Sequence, residues 1–312
     1  MSMSRTGRLI LSCGGAATVV AIGAVIWIGM ESKGRTAEER RAEQGIVPAK
    51  LGPSEPPAPV SIPGTEGVTP GPVAPSLVLE TGETYYGKGE AFFKEGDFGS
   101  ASRYLEAEVQ KHPDRFYPTY LLGISLWKEG KRDGAIESLT SAASLDPASV
   151  KARVNLGRVL NDAGRFEEAL RSSDEAIAID PQSSAAHNVR GRALLNLRRG
   201  DEAIESFKTS IEKDPTNAYA QNNLGYTLIQ EGRFPEAVPY LEEAVRLQSG
   251  IGVFQNNLGM AYEHTNQVDK AKAAYAKAVQ AGGSEAAGNN LERLGGTIDD
   301  ARAGQPDDET AD

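Results

Sequence analysis

The chain has 312 residues, enough for about two domains, yet only 39% are hydrophobic and 6% aromatic, which is low for one large core. Its net charge is −10, with 33 basic against 43 acidic residues, and this balance disfavours a nucleic-acid-binding role because phosphate neutralisation needs a basic surface. Cys13 is the only cysteine, which excludes an intrachain disulfide and a cysteine-built zinc site.

An uncharged apolar segment lies near the N-terminus, from Leu9 to Met30. As a helix it would be about 33 Å long, which matches the roughly 30 Å hydrocarbon core of a bilayer. Arg5 and Arg8 precede it, and Trp27 lies near its far end, where an indole suits the headgroup region. We therefore predict a single transmembrane helix in residues 1–30, with the membrane contact made through residues 9–30.

Two other interpretations of this segment compete with the anchor. A cleaved signal peptide is disfavoured because the apolar run exceeds the usual length of about 7–15 residues and no A-x-A-like site follows it. Residues 10–13 read Ile-Leu-Ser-Cys, which resembles the lipobox of bacterial lipoproteins, but only four residues separate Arg8 from Cys13. A retained anchor is the favoured interpretation.

The orientation of the anchor is less firmly indicated. Four basic residues in residues 31–45 outnumber the two before the apolar run, and the positive-inside rule alone would place this side in the cytoplasm. The order of a short basic tip, one apolar run and a proline-rich spacer instead favours export. We expect a single-pass inner-membrane protein with its folded part outside the cytoplasm, and the inverted orientation remains open.

A linker follows in residues 31–81, first charged and then proline-rich. Residues 46–76 hold 9 of the 17 prolines and few large apolar side chains, so they cannot bury enough surface to fold. We predict a flexible, disordered tether. In polyproline II conformation these residues would reach roughly 95 Å.

A fixed period of 34 residues begins at Gly82. Glycine recurs at one position of the period: Gly89, Gly123, Gly157, Gly191, Gly225 and Gly259. Alanine recurs at another: Ala101, Ala135, Ala169, Ala203, Ala237 and Ala271. Self-similarity at a period of about 20–50 residues indicates a solenoid, in which each unit stacks on its neighbours.

The period and its motif resemble those of tetratricopeptide repeats. Residues 150–181 read VKARVNLGRVLNDAGRFEEALRSSDEAIAIDP, where Leu156, Gly157, Gly164 and Pro181 match the family's pattern. The resemblance covers residues 82–285 as six repeats. It implies an all-α, right-handed superhelical solenoid of helix hairpins, whose concave groove binds other proteins or extended peptides.

Helical periodicity predicts the core of each hairpin without the family name. With residues about 100° apart, positions 4, 7, 8 and 11 of the period share one face of the first helix. In the fifth repeat these are Gln221, Leu224, Gly225 and Leu228, and the second helix presents Ala237, Leu241 and Ala244. After the repeats we predict a capping helix in residues 286–296 and, because residues 297–312 carry six acidic side chains against Arg302, a disordered acidic tail.

The family resemblance implies that the opposite face of the first helices lines the groove. Its first part is mostly apolar: Tyr86, Phe93, Tyr117, Tyr120, Ile124 and Trp127. Its second part is mostly polar: Lys151, Asn155, Arg158, Asn188, Arg192, Asn222, Asn223, Tyr226, Asn256 and Asn257. An apolar patch indicates a binding surface, and amides can bind a peptide backbone of any sequence. The alternatives are that the linker or residues 77–81 cover Phe93 and Trp127, and that asparagine is frequent in the family whatever the ligand.

One known groove chemistry is not expected here. Lys151 and Asn155 are spaced like the opening of the chaperone-tail carboxylate clamp, but Val189, Tyr219 and Asn223 stand where the clamp would need Asn, Lys and Arg. A C-terminal carboxylate ligand is therefore not supported.

Enzymatic activity is also not expected. The three histidines fall in different repeats, so they indicate neither a metal site nor a catalytic triad, and no cofactor is predicted. We expect a non-catalytic scaffold in cell-envelope assembly, serving a pilus, a secretion system or cell-wall machinery. The alternative is a cytoplasm-facing regulatory or chaperone-like adaptor.

Overall fold

A computed structural model of the chain describes residues 77, 83–282 and 285–303, in which all regular secondary structure is helical. Contacts divide the chain into residues 1–66 and 67–312, and every described residue belongs to the second unit. The predicted anchor in residues 1–30 lies outside the described residues, as does nearly all of the linker. Of the helices that are described, none combines the length and the apolar character needed to cross a bilayer.

Twelve helices in residues 83–282 alternate as the first and second members of hairpins. The first helices are α1 (Tyr85–Glu95), α3 (Phe116–Lys128), α5 (Val150–Asp162), α7 (Ser184–Asn196), α9 (Ala218–Gln230) and α11 (Gly252–His264). The second helices are α2 (Phe98–Lys111), α4 (Arg132–Leu145), α6 (Phe166–Ile179), α8 (Gly200–Lys213), α10 (Phe234–Leu247) and α12 (Val268–Gln280). Two short helices follow, α13 (Glu285–Arg293) and α14 (Ile298–Ala303).

Side-chain caps begin several of the first helices. Thr84, Ser149, Ser183 and Asn217 each accept a hydrogen bond from the backbone N–H three residues later, which satisfies a donor that the helix itself leaves open. Three second helices instead start at an arginine that forms a two-pronged ion pair with the glutamate three residues on: Arg165, Arg199 and Arg233. The arginine hydrogen bond lowers the pKa of each of these glutamates.

The turn between the two helices of each hairpin needs a left-handed residue at one fixed position. Four hairpins place glycine there: Gly96, Gly130, Gly164 and Gly232. The other two use Arg198, with φ of 62°, and Asn266, with φ of 60°. Glycine adopts this conformation without steric cost, whereas an arginine is strained in it.

The first helices line the inner side of the stack. Successive first helices touch one another along the series from α1 to α11, whereas the second helices α2 to α12 make no comparable contacts among themselves. Elements that approach more closely lie on the shorter, inner side of a curved stack. This geometry confirms a solenoid of stacked helix hairpins and places the candidate groove helices side by side.

The predicted core face of the fifth hairpin is confirmed. Leu224 and Leu228 are buried against Ala237 and Leu241. A Cβ added to Gly225 would lie 2.4 Å from Leu241 Cγ, far inside ordinary carbon contact, so only glycine allows the two helices to cross this closely.

The C-terminal end of the stack differs from the sequence prediction. Disorder is predicted from residue 297 onward, but α14 forms at residues 298–303 and packs against α12. The reason is apolar contact in an otherwise acidic segment, because Ala301 joins the core cluster and its carbonyl accepts a hydrogen bond from Gln280 Nε2 at 2.8 Å. Residues 304–312 lie outside the described residues.

Candidate protein-binding groove

Every residue that the sequence assigns to the groove lies on a first helix. Tyr86 and Phe93 are on α1, and Tyr117, Tyr120, Ile124 and Trp127 on α3. Lys151, Asn155 and Arg158 are on α5, Asn188 and Arg192 on α7, Asn222, Asn223 and Tyr226 on α9, and Asn256 and Asn257 on α11. The candidates thus belong to adjacent helices on the inner side of the stack. They differ in how far their side chains remain available to a ligand.

An aromatic cleft lies between α1 and α3. Tyr86, Phe116 and Tyr117 line a cavity of about 260 Å³. The rings of Phe116 and Tyr117 meet edge to face at 5.2 Å, and the guanidinium of Arg115 lies 5.5 Å from the ring centre of Tyr86. Tyr117 remains 66% exposed, so this cleft offers a large apolar side chain to a ligand.

Other aromatic candidates take part in the core. Trp127 is half-buried against the cluster formed by α4 and its neighbours, and its Nε1 donates to Asp162 Oδ2 at 3.0 Å. Phe93 packs against the cluster that contains Leu105, and Tyr120 stacks on Phe116 with ring centres 5.6 Å apart. These side chains therefore support the fold of the first hairpins, and their contact with a ligand stays a prediction.

The asparagine side chains bond to one another from hairpin to hairpin. Asn223 Nδ2 donates to Asn188 Oδ1 at 2.9 Å, and Asn257 Nδ2 donates to Asn222 Oδ1 at the same distance. Asn290 lies on α13, in the predicted capping helix, and was not among the predicted groove residues. It continues this series, because its Nδ2 donates to Asn256 Oδ1 at 3.2 Å. Recurrence of asparagine about one period apart could have indicated these pairs.

These amide pairs limit what the asparagines can offer to a peptide. Asn188, Asn222 and Asn257 are only 8%, 7% and 5% exposed. Each pair uses one end of each amide, which joins neighbouring first helices. The structure therefore assigns these three side chains a place in the stack, and binding of a peptide backbone by them remains a prediction.

Two arginines, Arg158 on α5 and Arg192 on α7, lie near the middle of the series of first helices. Asn155 Nδ2 donates to the hydroxyl oxygen of Tyr120 at 2.7 Å, and Arg158 Nη1 donates to Asn155 Oδ1 at 3.1 Å. Arg192 Nη2 donates to Asp162 Oδ1 at 3.1 Å. Burial lowers the pKa of Arg158 and raises the pKa of Tyr120. Asp162 was not predicted, although it accepts hydrogen bonds from Trp127 on α3 and Arg192 on α7.

The described residues show no metal centre. Nowhere in residues 83–282 and 285–303 do three histidine, cysteine, aspartate or glutamate side chains come together in a way that could hold a metal ion.

Comparison with known families identifies the repeats. Three family models, each described as a tetratricopeptide repeat, match residues 126–193, 188–252 and 254–281. The chain is a tetratricopeptide repeat protein. No catalytic domain is among these matches, and the repeats are those of a protein–protein interaction scaffold.

Solved structures show the same fold. The APC/C hetero-tetramer Cut9–Hcn1 is similar with a TM-score of 0.61 and 18% identity, over 67% of this chain and 42% of that chain. TTC0263, a thermophilic tetratricopeptide repeat protein of Thermus thermophilus, gives a TM-score of 0.50 and 21% identity, over 58% of this chain and 97% of that chain. This chain thus spans less than half of the first of these structures. Comparison with curated proteins gives no match.

Proposed function

We propose that this tetratricopeptide repeat protein is a membrane-tethered, non-catalytic scaffold that holds an extended segment of a partner protein on its inner face. The uncharged run in residues 9–30 would anchor it, and the proline-rich linker would carry the repeats away from the membrane. With the repeats outside the cytoplasm, the partner would belong to a cell-envelope assembly such as a pilus, a secretion system or cell-wall machinery.

Exposed apolar side chains on the first helices support the proposal that the inner face binds a partner protein. Six large hydrophobic side chains among the described residues are exposed, and three of them, Tyr117, Tyr219 and Val253, occupy the same position of the 34-residue period. Tyr219 and Val253 lie on the adjacent first helices α9 and α11, and Tyr117 lies at the same position of α3. Recurrence of an exposed apolar side chain at this position supports the first helices as the binding surface. Tyrosine is enriched at protein interfaces because it combines a large apolar ring with a polar tip.

Site-specific photo-crosslinking tests this proposal. A photoreactive phenylalanine analogue replaces Tyr117 or Tyr219 in the intact protein, in the native cells, and Leu145 on the second helix α4 serves as the control because it is also exposed, at 37%. We expect the same partner protein to be crosslinked from both inner positions and not from Leu145. Equal adducts from all three positions would exclude the inner face as the binding surface.

The tether is tested separately from the groove. Deleting residues 1–45 is expected to release a helical, soluble repeat domain, whereas Cys13→Ser is expected to leave membrane attachment unchanged. Sedimentation of the truncated chain with membranes in high salt would show that residues 9–30 are not the anchor. Loss of attachment in Cys13→Ser would instead support lipid modification of the cysteine.

The second candidate function is a cytoplasm-facing regulatory or chaperone-like adaptor. It is favoured by the four basic residues in residues 31–45, which the positive-inside rule would keep in the cytoplasm. Reporters fused after Asp312 distinguish the two orientations, since alkaline phosphatase is active only after export and a fluorescent protein such as GFP folds well only in the cytoplasm.

A further inference from the structure

Arg158 occupies a distinctive place on the inner face. It lies on α5, and the groups within its electrostatic reach come from four first helices: Tyr120 of α3, Asp162 of its own helix, Arg192 of α7 and Tyr219 of α9. Its side chain is half-buried. A guanidinium in such a position is partly removed from water, and this favours a nearby anion.

The hydrogen bonds among Tyr120, Asn155 and Arg158 leave several N–H and O–H donors available to a ligand. A guanidinium carries five N–H groups. Among the described residues, Arg158 forms one side-chain hydrogen bond, from Nη1 to Asn155 Oδ1. The hydroxyl oxygen of Tyr120 accepts from Asn155 Nδ2, so the Tyr120 O–H is still available to donate. The adjacent groups thus offer several N–H and O–H donors to one incoming acceptor.

Asp162, a carboxylate that acts on Arg158 electrostatically, is already engaged. Asp162 Oδ1 accepts from Arg192, and Asp162 Oδ2 accepts from Trp127. Within the described part of the chain, Arg158 has no carboxylate at ion-pair distance, whereas Arg192 has one. In the described part of the chain Asp162 is thus paired with Arg192 and not with Arg158, although the protein as a whole has a net charge of −10.

We propose that Arg158 and Tyr120 form a subsite for the carboxylate of an aspartate or glutamate side chain in an extended segment of the partner protein. The inference rests on the proposed function, because it assigns a chemistry to the same groove. The ligand carboxylate accepts from the free N–H groups of Arg158 and from the Tyr120 O–H, and it supplies the charge that Asp162 cannot. Exposed Tyr117 and Tyr219 contact apolar residues on either side of the acidic one. Charge-assisted, two-pronged bonds of this kind are stronger than neutral ones.

Selection from a random library tests the subsite. The full chain, in detergent micelles, selects twelve-residue peptides fused through their C-terminus to a phage coat protein, so that no free C-terminal carboxylate is present. We expect the selected peptides to share an aspartate or glutamate near an aromatic or aliphatic residue. A synthetic peptide of the selected sequence should bind the wild-type protein at least about tenfold more tightly than its Asp→Asn or Glu→Gln counterpart.

Variants then assign this preference to the arginine. Arg158→Gln should bind the acidic peptide and its amide counterpart with equal affinity, and Arg158→Lys should retain part of the preference because it keeps the charge but loses the planar fork. Arg171→Gln is the matched control, since this arginine on α6 is 68% exposed, and it should behave as wild type. Because the acidic and amide peptides are compared on wild-type protein, the central measurement does not depend on the folding of any variant.

Each other outcome has a definite meaning. Peptides that bind without acidic preference but are lost in Tyr117→Ala would overturn the carboxylate subsite and leave the groove as the binding surface. Peptides whose binding is unaffected by Tyr117→Ala and Tyr219→Ala would overturn the proposed function itself. Residues 304–312 carry four acidic side chains. If acidic peptides bind only after their deletion, the occupant is the chain's own tail and the assignment to a partner is wrong.

Discussion

Replacing Gly225 by alanine tests the packing of the solenoid most directly. Gly225 lies in the buried crossing of α9 and α10, where the added Cβ would be 2.4 Å from Leu241 Cγ and 2.7 Å from Leu241 Cδ2. Ordinary contacts begin near 3.4 Å. The nearest atom is the branch carbon of Leu241 and not a flexible end, so relief requires the two helices to move apart.

Two opposing contributions set the expected change in the free energy of unfolding for Gly225→Ala. Overpacking of a core costs about 1–3 kcal/mol, and the close approach here favours the upper half of this range. The higher helix propensity of alanine offsets about 1 kcal/mol. We therefore expect Gly225→Ala to lower the free energy of unfolding by about 1–2 kcal/mol.

Urea unfolding followed by far-ultraviolet circular dichroism measures this change, and Gly99→Ala is the matched control. Gly99 is also helical, but its added Cβ would meet no atom closer than 3.7 Å, so this variant should be neutral or more stable by up to about 1 kcal/mol. Hydrogen exchange should rise mainly in α7 to α12, because the described hairpins pack mainly on their direct neighbours.

A double-mutant cycle shows whether Leu241 is the cause. Leu241→Ala alone should cost about 2–5 kcal/mol by leaving a cavity. Combined with Gly225→Ala, the total loss should be smaller than the sum, since the new methyl group then enters the vacated space. A Gly225→Ala protein at least as stable as wild type, or a uniform rise in exchange across α1 to α12, would refute the reasoning.

Three further predictions follow from single contacts. Arg198→Gly should raise the free energy of unfolding by roughly 0.5–1 kcal/mol in urea titrations, because glycine removes the cost of a left-handed arginine; no gain would show that the turn is unstrained. Hydrogen bonds from Arg293 and Tyr275 lower the pKa of Glu263. The stabilisation is therefore complete above the unfolded pKa, and the gap in unfolding free energy to Glu263→Gln should be constant above about pH 5 and shrink below about pH 4. Tyr117→Ala should weaken capture of the crosslinked partner without changing unfolding, whereas a Trp127→Ala variant should lower stability as well, since its ring packs on the core.

The helices and their core were predictable because they follow from a short period that recurs along the chain. Glycine and alanine at fixed spacing indicated the crossings, and Gly225 against Leu241 confirms one of them. The same register could have shown that Arg198 takes the left-handed position of the glycines. Such features depend on local chain geometry, which the sequence expresses directly.

The groove was less predictable because its details depend on how neighbouring hairpins stack. The bond from Asn223 to Asn188 joins side chains 35 residues apart, and the sequence does not give the distance between their helices. Asp162 accepts hydrogen bonds from Trp127 on α3 and from Arg192 on α7, and these contacts also depend on how the hairpins stack. At the C-terminal end, Ala301 forms a contact that the acidic composition around it conceals.

Helices α13 and α14 cover apolar side chains of α12 at the C-terminal end of the repeats, and this affects the chain while it is being synthesised. Since the described hairpins pack mainly on their direct neighbours, each can assemble on the previous one as it emerges from the ribosome. Leu291 and Ala301 belong to the same buried cluster as Tyr275 of α12. A nascent chain that stops after α12 therefore exposes apolar surface around Tyr275. This surface would attract chaperones or proteases until residues 285–303 have been synthesised and cover it.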